Sequence, residues 1–296
     1  MADTSLGYWV VPIAMIGGAV RVSTPFLFVS LGECITERSG RINLGLEGTL
    51  VMGAMSGYAT SYLTGSPFLG VLAAGVAGAL LGALHASICS LPKVNDVALG
   101  IALMLFGTGL AFYLGKPLIE PTAPRLPAID FGWWSDIPQV KAALQINVLF
   151  LIGVALAPLL VWAFRSTRWG LVLRTAGESA DAALAMGYSV NMIRLRATMT
   201  GGFLAGVAGS FLSLFYPGSW NEGLSSGQGF TAVALVIFAR WNPMACLGAS
   251  LLFGAAAAWS CAERSFARCV RPRFSPSAAG GGRSYVASRG RCSSRR

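Results

Sequence analysis

Two polar side chains with clear chemical potential stand near the N-terminal end of the chain, in a stretch that is otherwise apolar. Asn43 and Glu47 are four residues apart, which places both on one face of a helix. Amide and ionisable groups within apolar helices are costly, so they face protein or a water-filled path. Two interpretations stay open for this pair: a lining or gating role in a path for a polar solute, or a buried structural hydrogen bond.

A second polar group interrupts an apolar run near the other end. The run Phe230–Ala239 amounts to about 15 Å of helix, roughly half the thickness of a bilayer core. It is followed by the sequence Arg-Trp-Asn-Pro at positions 240–243. Helices broken at membrane depth line cavities, and in transporters they often mark the solute path. Arg240 and Asn242 are therefore predicted to line such a path, and the alternative is a tilted hairpin with a short polar turn.

Other reactive residue types form no catalytic or metal-binding set by spacing. The six Cys and the single His lack the spacing of a zinc site, so no metal is predicted. The sequence around Lys116 is not a phosphate-binding loop, because Pro117 stands where Ser or Thr is needed and Leu110 where the first Gly is needed. The sequence predicts neither an enzyme nor a cofactor, and any nucleotide hydrolysis would occur on another chain.

The composition indicates a protein that crosses a membrane several times. Hydrophobic residues make up 54% of the 296 positions and charged residues 11%, against about 25% charged in soluble domains. The predicted fold class is all-α: a polytopic transmembrane helix bundle of about 7–8 membrane segments, some of them broken. The predicted segments are residues 9–32, 42–63, 68–91, 96–115, 146–164, 193–215, 230–239 and 244–259.

Residues 165–196 connect two of these segments and carry five Arg against two acids. Cytoplasmic loops collect Lys and Arg, so this loop is predicted to lie inside the cell. Counting the predicted membrane crossings places Arg38, Arg41 and Lys93 on the same side as this loop. The positive-inside rule is therefore satisfied by three separate loops. The predicted location is a bacterial inner (plasma) membrane, with the chain passing through it several times.

Within this loop, Ser179–Met186 reads as a short helix. Asp181 lies in its first turn, where negative charge suits the helix dipole, and Gly187 follows where a helix stop belongs. A helix of this length is marginal alone in water, so it must lean on something. Either it rests on its own bundle or it docks into a soluble partner.

The last 36 residues differ from the rest in composition. Residues 261–296 hold nine Arg against one Glu; the remaining 13 basic and 11 acidic residues give residues 1–260 a charge of only +2. The body therefore has no basic face that would suggest a nucleic-acid partner. We predict a membrane domain over residues 1–260 and a disordered tail over residues 261–296.

Three passages of the chain resemble the permease subunits of ABC importers, in the nucleoside and simple-sugar branch (branched-chain amino acid/ribose type). They are Thr24–Ala54, Leu173–Ala197 and Gly229–Gly254, and with the hydropathy between them the resemblance covers roughly residues 20–254. The resemblance implies the import of a small polar solute, with nucleosides and simple sugars as the leading candidates. It also implies at least one more apolar helix after residue 260, so a frameshift near Ala255–Cys261 is a second hypothesis for the tail.

The same resemblance implies partners and a coupling site. In such permeases a short cytoplasmic helix presses into a cleft on the ATPase subunit, and a second permease chain and an extracytoplasmic solute-binding protein complete the transporter in the lipid membrane. The ATPase-coupling residues implied here are Gly177, Glu178, Asp181, Ala182 and Gly187. The alternatives are an ion-coupled secondary transporter or channel, which needs intramembrane ionisable pairs, and a membrane enzyme, for which no catalytic set is visible.

Overall fold

The computed structural model describes residues 7–119, 122–130, 145–215, 218–270, 273–276 and 285–288, with side chains described between residues 16 and 260. Helices dominate this part of the chain. They are α1 (Gly7–Arg38), α2 (Leu46–Thr64), α3 (Pro67–Cys89), α4 (Asp96–Gly115), α5 (Val148–Ser166), α6 (Arg168–Glu178), α7 (Ala180–Ala185), α8 (Val190–Leu214), α9 (Gln228–Phe238) and α10 (Pro243–Val270). Two antiparallel pairs of short strands accompany them: β1 (Ala128–Asp130) with β2 (Gln145–Asn147), and β3 (Arg273–Pro276) with β4 (Tyr285–Ser288).

Six helices in the described part of the chain are long and apolar enough to cross a membrane. They lie in α1, α3, α4, α5, α8 and α10, with mean hydropathies of 1.2 to 2.2. Helix α2, with 19 residues, and the shorter apolar helix α9, with 11, complete the bundle. The predicted all-α polytopic fold is confirmed.

Burial divides the bundle into a centre and a periphery. In α1 and α8, 72% and 83% of the spanning residues are buried inside the protein, whereas the figure for α3, α4, α5 and α10 lies between 17% and 28%. The outer helices expose large apolar side chains such as Leu80, Leu105 and Leu252. Such a surface suits hydrocarbon as the solvent, so the peripheral helices face lipid.

Small residues set how closely the central helices approach one another. A Cβ atom added to Gly78 of α3 would lie 2.1 Å from the carbonyl oxygen of Gly202 in α8, and one added to Gly53 of α2 would lie 2.6 Å from Gly206. The two helix pairs therefore pack backbone against backbone. Such contacts hold helices together where lipid removes the hydrophobic drive between them.

Helix α1 is continuous through Arg21, and the chain then turns back into the bundle before α2 begins. The backbone N–H of Asn43 donates to Glu33 Oε1 at 2.8 Å, beside the last turns of α1. In the first turn of α2, a Cβ on Gly48 would lie 2.8 Å from the Cα of Met104, about 12 Å along α4 from Asp96. Helix α2 therefore starts inside the bundle rather than at its edge.

Helix α9 spans only half of the bundle, the half that contains the C-terminal end of α1. Its N-terminus lies beside the first turn of α2, where the backbone N–H of Gly229 donates to Glu47 Oε2 at 2.6 Å. Its C-terminal turn lies beside the end of α1, where Arg38 Nε donates to the carbonyl of Trp241 at 3.0 Å. Eleven residues at 1.5 Å each give about 16 Å, which matches this half-crossing.

The loops predicted to share the cytoplasmic side meet at one end of the bundle. Arg41, after α1, forms an ion pair of 2.6 Å with Asp96 at the start of α4. Arg194, at the start of α8, donates to the carbonyl of Ser39 at 3.1 Å. The Arg-rich loop, the α1–α2 turn and the α3–α4 turn therefore form one face, which the positive-inside rule assigns to the cytoplasm.

The region predicted as a disordered tail is described only in part. Helix α10 runs to Val270, ten residues past the predicted boundary, and strands β3 and β4 pair beyond it. Residues 271–272, 277–284 and 289–296 lie outside the described residues. The domain boundary, the disorder of the tail and its possible frameshifted origin stay predictions.

Candidate functional site

The short helix predicted at Ser179–Met186 is present as α7, Ala180–Ala185. Ser179 is its N-cap: the hydroxyl accepts a hydrogen bond from the backbone N–H of Ala182 at 3.2 Å. Asp181 adds a negative charge in the first turn. The helix ends because Gly187 adopts a φ of +82°, a backbone conformation that favours glycine. Local sequence thus determines both ends.

Helix α7 is anchored on one side and exposed on the other. Ala183 is fully buried and packs with Ala176 and Val190. Leu184 and Met186, by contrast, are 58% and 51% exposed at the tip. The helix rests on its own bundle, as one of the two sequence-based interpretations has it, and it also presents an apolar surface outward. Docking into a soluble partner stays a prediction. Exposed apolar groups next to charged ones mark interaction sites.

The base of this segment is joined tightly to the α1–α2 turn. A Cβ on Gly177 would lie 2.3 Å from the carbonyl oxygen of Arg38, so only glycine allows this approach. Arg194 donates to the carbonyls of both Ser39 and Ala176, at 3.1 and 3.3 Å. A displacement of α6 and α7 would therefore be felt at residues 38–40.

Glu178 lies at the rim of a polar cleft of about 440 Å³ on the same face. The opposite wall comes from the turn after α9, which includes Arg240 and Trp241. Both residues have positive φ angles, +53° and +55°, which cost energy outside glycine. Contacts with α1 hold this turn: Trp241 Nε1 donates to Glu37 Oε2, and the Trp241 carbonyl accepts from Arg38 Nε.

This placement favours the alternative of a short polar turn over a helix break at membrane depth, and a role of Arg240 and Asn242 in lining the path stays a prediction. Arg240 and Asn242 are exposed in a polar turn at the cytoplasmic end, while Asn43 and Glu47 are buried beside α1, α2 and α9. The structure thus separates the four residues predicted to line one path into two groups. The break within the bundle comes instead before α9, where the chain from α8 re-enters.

Glu47 joins that break to α2. Its Oε1 accepts hydrogen bonds from the hydroxyl of Ser225 at 2.5 Å and from the backbone N–H of Gly227 at 3.1 Å, and its Oε2 accepts from Gly229. The carboxylate therefore caps the N-terminus of α9, where the helix dipole favours negative charge. Sequence reasoning missed Ser225, Gly227 and Gly229, because the bonded groups lie 178 to 182 residues from Glu47.

Asn43 also makes hydrogen bonds within the protein. Its side-chain Oδ1 accepts from the backbone N–H of Gly45 at 2.9 Å, which shapes the turn into α2, while its own N–H binds Glu33. These contacts favour the structural interpretation of Asn43 and Glu47, and a role in lining the path stays a prediction. Within the described ranges, no three His, Cys, Asp or Glu residues come together as a metal site.

Comparisons with known proteins agree with this architecture. Residues 15–265 match the family described as the branched-chain amino acid transport system / permease component. The chain is 34% identical to TsgC13, named as a candidate glucose ABC transporter permease protein of Haloferax volcanii, over 87% of this chain and 80% of that one.

Two bacterial relatives carry nucleoside names. Identity is 30% with the nucleoside ABC transporter permease protein NupC of Lactococcus lactis subsp. cremoris, and 28% with the guanosine ABC transporter permease protein NupQ of Bacillus subtilis. Each match covers 78% of this chain and 77% of the relative. No solved structure matches the chain. The chain is a multi-pass inner-membrane protein and belongs to the branched-chain amino acid transport system / permease component family of ABC transporter permeases.

Proposed function

We propose that this permease forms the membrane path of an ABC importer for a nucleoside or a simple sugar, and that a separate ATPase subunit drives it by gripping α7. The observation that carries the proposal is the dual character of α7, anchored through Ala183 and exposed at Leu184 and Met186. An apolar tip held out from a charged cytoplasmic face suits a cleft on a soluble partner. The coupling residues are Gly177, Glu178, Asp181, Ala182 and Gly187.

The contacts at the base of α7 supply a mechanical route into the bundle. Closure of the ATPase pair on ATP would move α7, and Gly177 and Arg194 would pass the movement to Ser39 and the α1–α2 turn. From there the hydrogen bonds of Asn43 and Glu47 lead to the N-terminus of α9. Because α9 spans half the bundle, a small shift there would open or close one side of the path.

The chemistry around α9 supports an uncharged solute. In transporters the N-terminus of a half-helix often points at an anionic group of the substrate. Here Glu47 already supplies that negative charge from the protein itself. An anionic solute would meet the Glu47 carboxylate rather than a free helix N-terminus, whereas a nucleoside or sugar carries no charge. We place Asn43 and Glu47 next to the path on this basis.

The full transporter in this proposal contains a second permease chain, two ATPase subunits and an extracytoplasmic solute-binding protein. The first test is uptake of labelled guanosine and labelled glucose in cells that express the complete transporter. Ala182→Arg places a charge on the exposed face of α7, and Gly187→Pro is incompatible with a φ of +82°. Both variants are expected to lower uptake about tenfold or more, the scale of typical coupling free energies.

Two controls make this test decisive. Ala182→Ser keeps a small side chain at the same exposed position and is expected to retain uptake. The amount of inserted variant and its co-purification with the ATPase subunit are measured alongside. Normal uptake in both Ala182→Arg and Gly187→Pro would rule out the coupling role of α7, and uptake of neither labelled solute by the unmodified protein would rule out the proposed solute class.

A further inference from the structure

A second cleft on the cytoplasmic side lies next to α7, since its wall includes Tyr188, whose backbone N–H donates to the carbonyl of Ala183 in α7 at 3.0 Å. Its volume is about 350 Å³, and it opens between the first turns of α6 and α8. The lining residues share a pattern of arginines around an aromatic and aliphatic floor. They are Arg168, Trp169, Val172, Tyr188, Ser189, Met192, Ile193 and Arg196.

The charge of this cleft is positive and uncompensated. Arg168 and Arg196 are exposed, and within the described part of the chain their guanidinium groups form no ion pair or hydrogen bond. No acidic side chain is among the described lining residues. An arginine in the first turn of a helix is electrostatically unfavourable, so the position of Arg168 calls for an anion nearby.

Two helix N-termini add to the same field. Helices α6 and α8 have 11 and 25 residues, and neither has an acid in its first turn. Ser189, the N-cap of α8, makes no capping hydrogen bond with its side chain and instead lines the cleft. Backbone N–H groups at such ends bind phosphate oxygens, and arginine binds them with paired hydrogen bonds.

The position of the cleft indicates which molecule would bring a phosphate group to it. Helix α5 faces lipid with Trp162, which is 59% exposed one turn before the helix ends at Ser166. The next helix begins two residues later, and Trp169 stacks on Phe164 of α5 with ring centroids 5.9 Å apart. The cleft therefore opens where the membrane surface meets the protein, and Trp at this level is typical of the interface.

We propose that this cleft binds the headgroup of an anionic phospholipid from the inner leaflet. Arg168 and Arg196 hold the phosphate, and the side chains of Val172, Met192 and Ile193 cover the upper part of an acyl chain. Anionic lipids attract basic residues at the cytoplasmic surface, each Arg contributing about fivefold in affinity. The lipid would fix α6 against α8 and hold the coupling loop at a defined height.

The test uses the full-length permease in nanodiscs of phosphatidylcholine that contain a trace of photoreactive phosphatidylglycerol. The expected result is crosslinking to peptides of α6 and α8 that unlabelled phosphatidylglycerol displaces and phosphatidylcholine does not. Arg168→Gln with Arg196→Gln is expected to weaken phosphatidylglycerol binding about 25-fold. Arg165→Gln, which removes one charge from a residue outside the cleft, is expected to retain it.

Further arms distinguish lipid binding from misfolding and from contact with the ATPase subunit. Arg168→Lys with Arg196→Lys keeps the charge and is expected to retain the preference for phosphatidylglycerol, which distinguishes charge loss from misfolding. Equal displacement by phosphatidylcholine, full displacement by soluble glycerol phosphate, or loss of crosslinking when the ATPase subunit is added would each overturn the proposal. The last outcome would assign the cleft to the ATPase interface.

Discussion

A carboxylate buried in a membrane protein needs hydrogen-bond donors, and Glu47 obtains them from the re-entrant segment before α9. Ser225, Gly227 and Gly229 satisfy its two oxygens. The side chain is only 9% exposed, so its hydrogen bonds come mainly from these protein groups. Removing the carboxylate would leave backbone N–H groups of α9 unpaired inside the bundle. Glu47 is therefore needed for the fold of α9, whatever its part in solute transfer.

Glu47→Ala is expected to lower the free energy of unfolding by about 3 kcal/mol, because a buried charged acceptor is lost and its donors stay buried. The measurement is denaturant-induced unfolding in detergent micelles. Glu222→Ala changes an exposed acid of the same re-entrant segment and is expected to alter stability by about 0.5 kcal/mol or less. Equal effects of the two substitutions would contradict the capping role of Glu47.

At the scale of elements, the closest contacts between helices occur at glycines, which have no side chain to keep the backbones apart. Helices α3 and α8 meet at Gly78 and Gly202, and α2 and α8 meet at Gly53 and Gly206. These contacts place α8 at the centre and fix the rotation of α2, which in turn decides where Glu47 points. The coupling segment uses the same device, since Gly177 lies against the end of α1. Close backbone contact thus sets both the core and the cytoplasmic face.

Gly78→Ala is expected to destabilise the bundle by about 1–3 kcal/mol, because the new Cβ would lie 2.1 Å from a backbone oxygen that cannot move alone. Gly109→Ala in α4 is the matched control, since a Cβ there meets no atom within 4 Å. That change is expected to be neutral or to stabilise by up to about 1 kcal/mol through helix propensity. Thermal unfolding of both variants in the same detergent measures the difference, and a stable Gly78→Ala protein would refute the tight crossing.

At the scale of the whole molecule, one face gathers the Arg-rich loop, the coupling helix α7 and the turns that contact them. The Arg-rich loop, the α1–α2 turn and the turn at residues 240–242 meet there through Arg194 and Arg38. The opposite end holds the α2–α3 turn. This difference between the two ends predicts how the protein is oriented in the membrane, and orientation can be measured directly in cells.

Cysteine labelling from outside intact cells is expected to reach Thr64→Cys, at the end of α2 beside the α2–α3 turn, and to spare Ala182→Cys in α7. Both positions are exposed, so accessibility to solvent is matched and only the side of the membrane differs. The background carries Ser in place of Cys261, Cys269 and Cys292, while Cys34, Cys89 and Cys246 are buried. Labelling of Ala182→Cys by an impermeant maleimide would place the coupling loop outside and end the proposed mechanism.

The sequence by itself determined the features that depend on neighbours along the chain. Hydropathy located the membrane segments, because a helix in lipid must satisfy its backbone hydrogen bonds within its own segment. Charge predicts which side of the membrane each loop faces. Ser179, Asp181 and Gly187 determine α7 through caps that act over a few residues. Its anchoring through Ala183 depends on Ala176 and Val190, which stand close by in the chain.

Only the tertiary structure decided which distant groups meet. Arg240 and Asn242 looked like a break at membrane depth because a ten-residue apolar run is too short to cross a bilayer. The run is short because α9 starts inside the bundle, at Glu47, and ends at the cytoplasmic face. Hydropathy measures the length of an apolar segment, but it does not show how deep in the membrane that segment begins. That depth is set by hydrogen bonds between residues about 180 positions apart, in a bundle whose helices pack closely at glycines.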